Sequence, residues 1–177
     1  QLVGCDWPEG RTLSELVEAL PATGLKILAV ANMQVGGALP EAVVDKCAGA
    51  EFVALFDLGL TGGVPASFGK CAKLKTLMLW GNQLKGPIPD ELGQCGALEK
   101  LQLTENQLTG GVPASLGKCA KLTELHLNTN QLEGPVPDRG ADRRPVQAQL
   151  RLGAPGADEL PASAFVVSLG EGSSSER

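Results

Sequence analysis

Several things are missing from this chain, and each absence removes a class of function. There is no basic stripe: Lys and Arg total 15 against 20 Asp and Glu, a net charge of −5, whereas nucleic-acid binders cluster positive charge on one face. No apolar run approaches the ~18 residues of a membrane span. There is one histidine, His126, with no nucleophile motif or phosphate-binding loop beside it, which leaves little on which to build an enzyme. No Asn-x-Ser/Thr sequon occurs. The first methionine is Met33 and the chain opens at Gln1, so an initiator or targeting segment is expected to have been removed. Nothing that remains reads as a signal peptide.

What is present is a repeat. Residues 74–89 read LKTLMLWGNQLKGPIP, residues 98–113 read LEKLQLTENQLTGGVP, and residues 122–137 read LTELHLNTNQLEGPVP. Matching residues recur every 24 positions, a period that signifies a solenoid. Within a unit, Leu77 and Leu79 share one face of a short strand, while Thr76, Met78 and Trp80 take the other. Stacked copies give a parallel sheet with strands about 4.8 Å apart. The leucines then form one continuous core that no single repeat could bury. At Asn82, Asn106 and Asn130 the chain leaves the strand, and buried amides there can form a ladder that satisfies the turns. The Gly-x-Val/Ile-Pro element bends the chain again, with Pro ending strand pairing.

These motifs resemble the plant-type leucine-rich-repeat family over residues 25–137. The resemblance implies an α/β repeat solenoid: a curved, right-handed coil with its parallel sheet on the concave face and short helical, 3-10 or irregular segments on the convex one. It also implies binding of proteins, peptides or glycans on the concave side. Secreted members are usually closed at their ends by cysteine pairs, which this chain lacks. With the missing sequon, that favours a reducing, intracellular or organellar compartment over a secreted one.

Cys47, Cys71, Cys95 and Cys119, spaced 24 apart, read as one small apolar residue per coil in a buried column. A column spreads its thiols along the axis, so neither a converging metal site nor a disulfide is expected. Cys5 is left over. Residues 1–24 read as an N-terminal cap: Thr12 and Glu15 make a capping box, Leu13, Leu16, Val17 and Leu20 follow at helical spacing, and Trp7 packs nearby. Coils then start near 25, 50, 74, 98 and 122 and run to 141. The first is 25 residues long, and Met33 and Leu58 replace the ladder Asn, so less regular turns are expected there. Residues 142–169 read as a degenerate sixth coil acting as C-terminal cap, with a loosely ordered tail as the alternative, and 170–177 as disordered. Lys70, Lys73, Lys118 and Lys121 fall on the convex side as a solubilising face.

The phase of the repeat lays out the opposite face in columns: Ile27, Phe52, Thr76, Lys100, Glu124; then Ala29, Ala54, Met78, Gln102, His126; then Ala31, Phe56, Trp80, Thr104, Asn128, flanked by Asn32, Asp57, Gly81, Glu105, Thr129. Three apolar coils are followed by two polar ones. A solvent-exposed patch of Phe52, Phe56, Met78 and Trp80 is expected, and patches of this kind mark interaction sites. The protein-binding candidates are therefore Ile27, Phe52, Phe56, Met78, Trp80, Lys100, Gln102 and His126, with Asn82, Asn106 and Asn130 structural. The function read from the sequence is a non-enzymatic scaffold or peripheral subunit whose partner is a protein, up to a large multi-subunit assembly. No cofactor, metal, nucleic acid or membrane span is implied. One alternative is the ligand-recognition domain of a receptor or an enzyme inhibitor. Another is a hydrolase using His126 as general base.

Overall fold

The computed structural model describes residues 12–19, 25–31, 33–134 and 166–167. The expectations for Cys5, Trp7, the 170–177 tail and nearly all of 142–169 lie outside those residues.

Chain order gives α1 (Leu13–Ala19), β1 (Ile27–Ala31), α2 (Glu41–Lys46) and β2 (Phe52–Phe56), then β3 (Thr76–Met78), β4 (Lys85–Gly86), β5 (Lys100–Gln102) and β6 (Gln107–Gly111), then β7 (Glu124–His126), β8 (Gln131–Glu133) and β9 (Val166–Val167). Short 3-10 helices at Ala66–Lys70, Asp90–Gln94 and Ala114–Lys118 fill the corresponding place in the later coils. The main sheet runs β7-β5-β3-β2-β1-β9. Its strands are parallel, and its register repeats the sequence period: Ile27 pairs with Phe52, Phe52 with Thr76, Thr76 with Lys100, and Lys100 with Glu124. Val166 pairs with Ala29 and Val167 with Val30, which places β9 on the β1 edge, at the opposite end of the sheet from β7.

The inward leucines of every coil merge with Val43, Val44, Phe68 and the cysteines into one core. Leu13 and Val17 of α1 belong to it, and α1 packs on α2. The first coil differs from the rest for a countable reason. Cys47 lies seven positions after Pro40, whereas Cys71 and Cys95 lie six after Pro65 and Pro89. The extra residue lets the first coil close as an α-helix where the others use the tighter 3-10 turn. In the later coils that turn presses against its neighbour. A Cβ on Gly69 would collide with the Glu91 carbonyl, and one on Gly93 with that of Ser115.

The thiol column carries its own ladder. Cys95 Sγ donates to the Phe68 carbonyl at 3.2 Å and Cys119 Sγ to that of Leu92 at 3.4 Å. All four thiols are buried, and burial pushes Cys47 and Cys95 up to about 12.

The segment before each Gly-x-Val/Ile-Pro bend is more than a turn. Lys85–Gly86 pairs with Gln107–Leu108, and Thr109–Gly111 with Gln131–Glu133, as a second parallel sheet β4-β6-β8. Stacking sets each such segment alongside its counterpart, so the amides of Gln83, Lys85 and Gln107 find Leu60, Gly62 and Leu84 carbonyls at 2.7–2.8 Å. Pro ends this pairing but does not prevent it.

Candidate functional site: the outer face of the main sheet

The turn at the end of each strand fixes where the outer face stops. Asn82 Nδ2 donates to the carbonyls of Leu55, Leu79 and Trp80, and its Oδ1 accepts from the Leu58 and Leu60 amides. Asn106 binds Leu79, Leu103 and Thr104 carbonyls and the Leu84 amide in the same way. Asn130 repeats the pattern on Leu103, Leu127, Asn128 and Leu108. Each side-chain amide therefore ties the turn of its own coil to that of the coil before it. The first coil has no such partner, because Leu58 stands in the Asn position; there the Val35 and Gly36 amides donate to the Leu58 carbonyl at 3.2 and 2.8 Å.

The face itself divides as its columns do, but its exposure differs from expectation. Phe56 and Trp80 point away from the leucine core and form a separate cluster with Met78, Ala29, Ala31 and Ala54, Phe52 packing at its edge. Far from standing free in solvent, Phe56 is 2% exposed and Trp80 8%. Their rings stack with centroids 4.3 Å apart and planes 14° from parallel. The physical reason lies in the neighbours: side chains on strands about 4.8 Å apart shield one another, and large rings set beside alanines fill the space above them. Met78 is buried in the same way, and Gln102 and His126, expected to be exposed, are buried too. Ile27, Phe52, Lys100, Glu124 and Asn128 keep part of their surface.

In the polar half, Lys100 and Glu124 form an ion pair at 2.8 Å, and the Thr104 hydroxyl donates to Asn128 Oδ1 at 2.9 Å. The carboxylate that the register sets near His126 is thus engaged by a lysine, and the Thr104 hydroxyl faces an amide. The register assembles no base and nucleophile around His126. Among the described residues no group of three or more His, Cys, Asp or Glu side chains could hold a metal ion, and no helix is long and apolar enough to cross a membrane.

Two rows border the face, of which the column reading laid out the strand-exit one and missed the strand-entry one. On the strand-exit side, Asp57, Gly81, Glu105 and Thr129 share a left-handed backbone, with φ between 53° and 67°. The Asp57 carboxylate fills the space a side chain on Gly81 would take. Burial, and then the nearby Glu105 charge, hold its carboxyl above the usual range. On the strand-entry side lie Lys26, Glu51, Lys75 and Glu99, lining an open groove of about 380 Å³ with Ile27, Phe52 and Thr76. Lys75 Nζ donates to Glu51 Oε2 at 2.7 Å, which lowers the Glu51 carboxyl and raises the Lys75 ammonium. The strand-entry row keeps the repeat spacing one position before the first column, and that spacing was the signal that could have found it.

Residues 72–132 match the leucine rich repeat family model. Among solved structures the chain is similar to the plant peptide hormone receptor RGFR1 in complex with RGF2, at 34% identity and TM-score 0.61 over 64% of this chain and 18% of that one. It is similar to the BIR3–SERK2 complex from Arabidopsis thaliana at 33% identity and TM-score 0.59, over 63% of this chain and 60% of that one. A third is the Arabidopsis receptor kinase HAESA in complex with the peptide hormone IDA and the co-receptor SERK1, at 34% identity and TM-score 0.60, over 64% and 19%. The chain therefore spans from under a fifth to three-fifths of the length of these structures. No curated protein matches it significantly. With its in-register parallel strands and asparagine ladder, the chain is a solenoid of plant-type leucine-rich repeats.

Proposed function

We propose that this chain is a non-enzymatic protein-interaction module, a scaffold or a peripheral subunit of a larger assembly, that takes its partner on the outer face of the main sheet. One observation carries the reading: a second apolar cluster, separate from the leucine core, on the face the solenoid does not need for its own closure. Stacked rings are already ordered, so a partner that seats against them loses little side-chain entropy. Around the stack, Phe52, Lys100, Glu124 and Asn128 supply the accessible border. The reading also agrees with the matched family model, which is that of a repeat and points to no enzymatic family.

Amine crosslinking with mass spectrometry, on the protein and its bound partner in native extract, tests this. Crosslinks to the partner should map to Lys75 and Lys100, which border the face, and spare Lys70, Lys118 and Lys121 on the convex side. Links confined to the convex lysines would refute the assignment. Trp80→Ala should weaken capture of that same partner by tenfold or more while the protein stays folded.

A second reading, a peptide-recognition domain of a receptor, draws support from two similar structures that hold peptide hormones or a named peptide partner. It predicts that a short linear segment excised from the partner binds as tightly as the whole.

A further inference from the structure

Just before the first column of the face, on the strand-entry side, side chains alternate in charge: Lys26, Glu51, Lys75, Glu99. The strand register sets them on four adjacent coils, about 4.8 Å apart. They edge the groove whose apolar lining is Ile27 and Phe52. Those two are the large apolar side chains of the face that keep accessible surface among the described residues.

A row reading plus, minus, plus, minus is antisymmetric about its midpoint, which falls between Glu51 and Lys75. A two-fold axis through that midpoint sets Lys26 against Glu99 of a second copy and Glu51 against its Lys75, and each pairing occurs twice. Such self-complementarity is what a two-fold interface requires. We propose that this row is a homodimer interface: two copies dock across it in antiparallel order and close Ile27 and Phe52 between them.

Within one copy Lys75 already bridges Glu51, yet the two side chains remain 48% and 41% exposed. An ammonium has three donors and a carboxylate about four acceptor sites, so each can serve a neighbour and a second copy at once. The row spans three strand spacings, roughly 14 Å. So short a contact belongs with weak, salt-sensitive associations that bury under about 1,200 Å². This interface shares Phe52 and Lys75 with the border of the proposed partner face, but self-association of the pure protein and crosslinking to a partner are separate measurements, so either proposal can fail without the other.

Two double variants test it. Lys26→Glu with Lys75→Glu makes the row wholly negative; Glu51→Lys with Glu99→Lys makes it wholly positive. All four positions are exposed or half-buried, and unchanged circular dichroism would show that the fold is kept. In sedimentation equilibrium at low salt, the wild type should rise above the 18.3 kDa monomer towards a dimer as concentration approaches ~1 mM, and fall back at about 0.5 M salt, where screening is short-ranged. Each variant alone should self-associate at least tenfold more weakly, and an equimolar mixture should recover the wild-type mass. A wild type that stays monomeric, variants that dimerise as the wild type does, or a mixture no stronger than its parts would each overturn the proposal.

Discussion

The first turn and the later ones reach the same strand register by different means. In the later coils a buried asparagine reaches back across the stack and satisfies five or four backbone groups, two in its own turn and the rest in the turn behind it. Behind Leu58 the work is done by one backbone carbonyl, with Leu58 and Met33 spending their side chains on the core. Register is therefore the property of the leucine core and the backbone ladder, and the asparagine is one way of closing the turn that follows. That inference can be broken from both sides. Asn106→Ala orphans the Leu84 amide and takes one hydrogen bond each from the Leu79, Leu103 and Thr104 carbonyls, which keep Asn82, Asn130 and the Gly81 amide. The substitution should cost about 3–5 kcal/mol, since a buried orphan costs about 1–3, each further lost hydrogen bond about 1, and the effects do not simply add. Leu58→Asn, which restores the repeat motif, should nevertheless destabilise by about 2 kcal/mol. It removes a fully buried leucine, and the amides an asparagine would seek are already bonded. Urea unfolding of both measures the contrast. A stabilised Leu58→Asn would show that the first turn is merely unfinished.

The helical side gives a second contrast, between the α2 coil and the 3-10 coils. Gly93 allows the turn of one coil to touch the Ser115 carbonyl of the next. Gly93→Ala should cost about 2–3 kcal/mol through this overpacking, because the obstacle is backbone and cannot rotate away. Gly96→Ala, in the same coil but with open space around it, should change the melting temperature little. Equal effects would mean that the glycines act through chain entropy and not through close approach.

How much of this was legible in the residues alone depends on what kind of question is asked. Phase is legible: a leucine period of 24 decides which side chain faces which way, and Phe56 and Trp80 do lie opposite the leucines. The α-helix of the first coil was written in its one extra residue, although the text of the repeat drew attention elsewhere. Exposure is not a matter of phase. Whether Trp80 is displayed or covered depends on what stands beside it in space, and alanines at 29, 31 and 54 invite neighbouring rings to settle over them. The second sheet was illegible for another reason. Its strands are two to five residues long and rich in glycine, so propensity argues against them, and only stacking supplies the partner.

The thiol column extends the comparison to a property shared by the first and third coils. Cys47 and Cys95 ionise at about 12 in the folded chain against an ordinary 9.0. An acid whose folded pKa is raised favours folding fully below its unfolded pKa, and that advantage drains away as pH climbs from 9 towards 12. The melting temperature should accordingly fall over that window, and Cys47→Ala with Cys95→Ala should flatten the fall. Ellman's reagent should leave the four core thiols untouched in the native protein and titrate them in denaturant. Rapid native labelling of Cys47 or Cys95 would contradict the packing described.

The smallest expected effect separates the two borders of the face. On the strand-entry side opposite charges alternate and relieve one another, whereas on the exit side Asp57 and Glu105 are alike in sign and flank a glycine. Burial and that like charge both raise the Asp57 carboxyl, so the ionised form costs the folded state something at neutral pH. Asp57→Asn removes the cost and suits the left-handed backbone, with φ of 53°, at least as well, because asparagine tolerates that region best after glycine. The gain at pH 7 should be under about 1 kcal/mol, discounted because the group is partly solvated. The sign of its pH dependence is the sharper test. As pH falls through the raised folded pKa, the wild-type carboxyl takes up a proton and the repulsion ends, so the advantage of asparagine must shrink towards zero in acid. Melting curves of both proteins at neutral and acid pH read this directly: a constant difference would assign the gain to backbone preference alone, and a loss of stability at pH 7 would mean that the Asp57 charge is engaged with a cation and not opposed by Glu105.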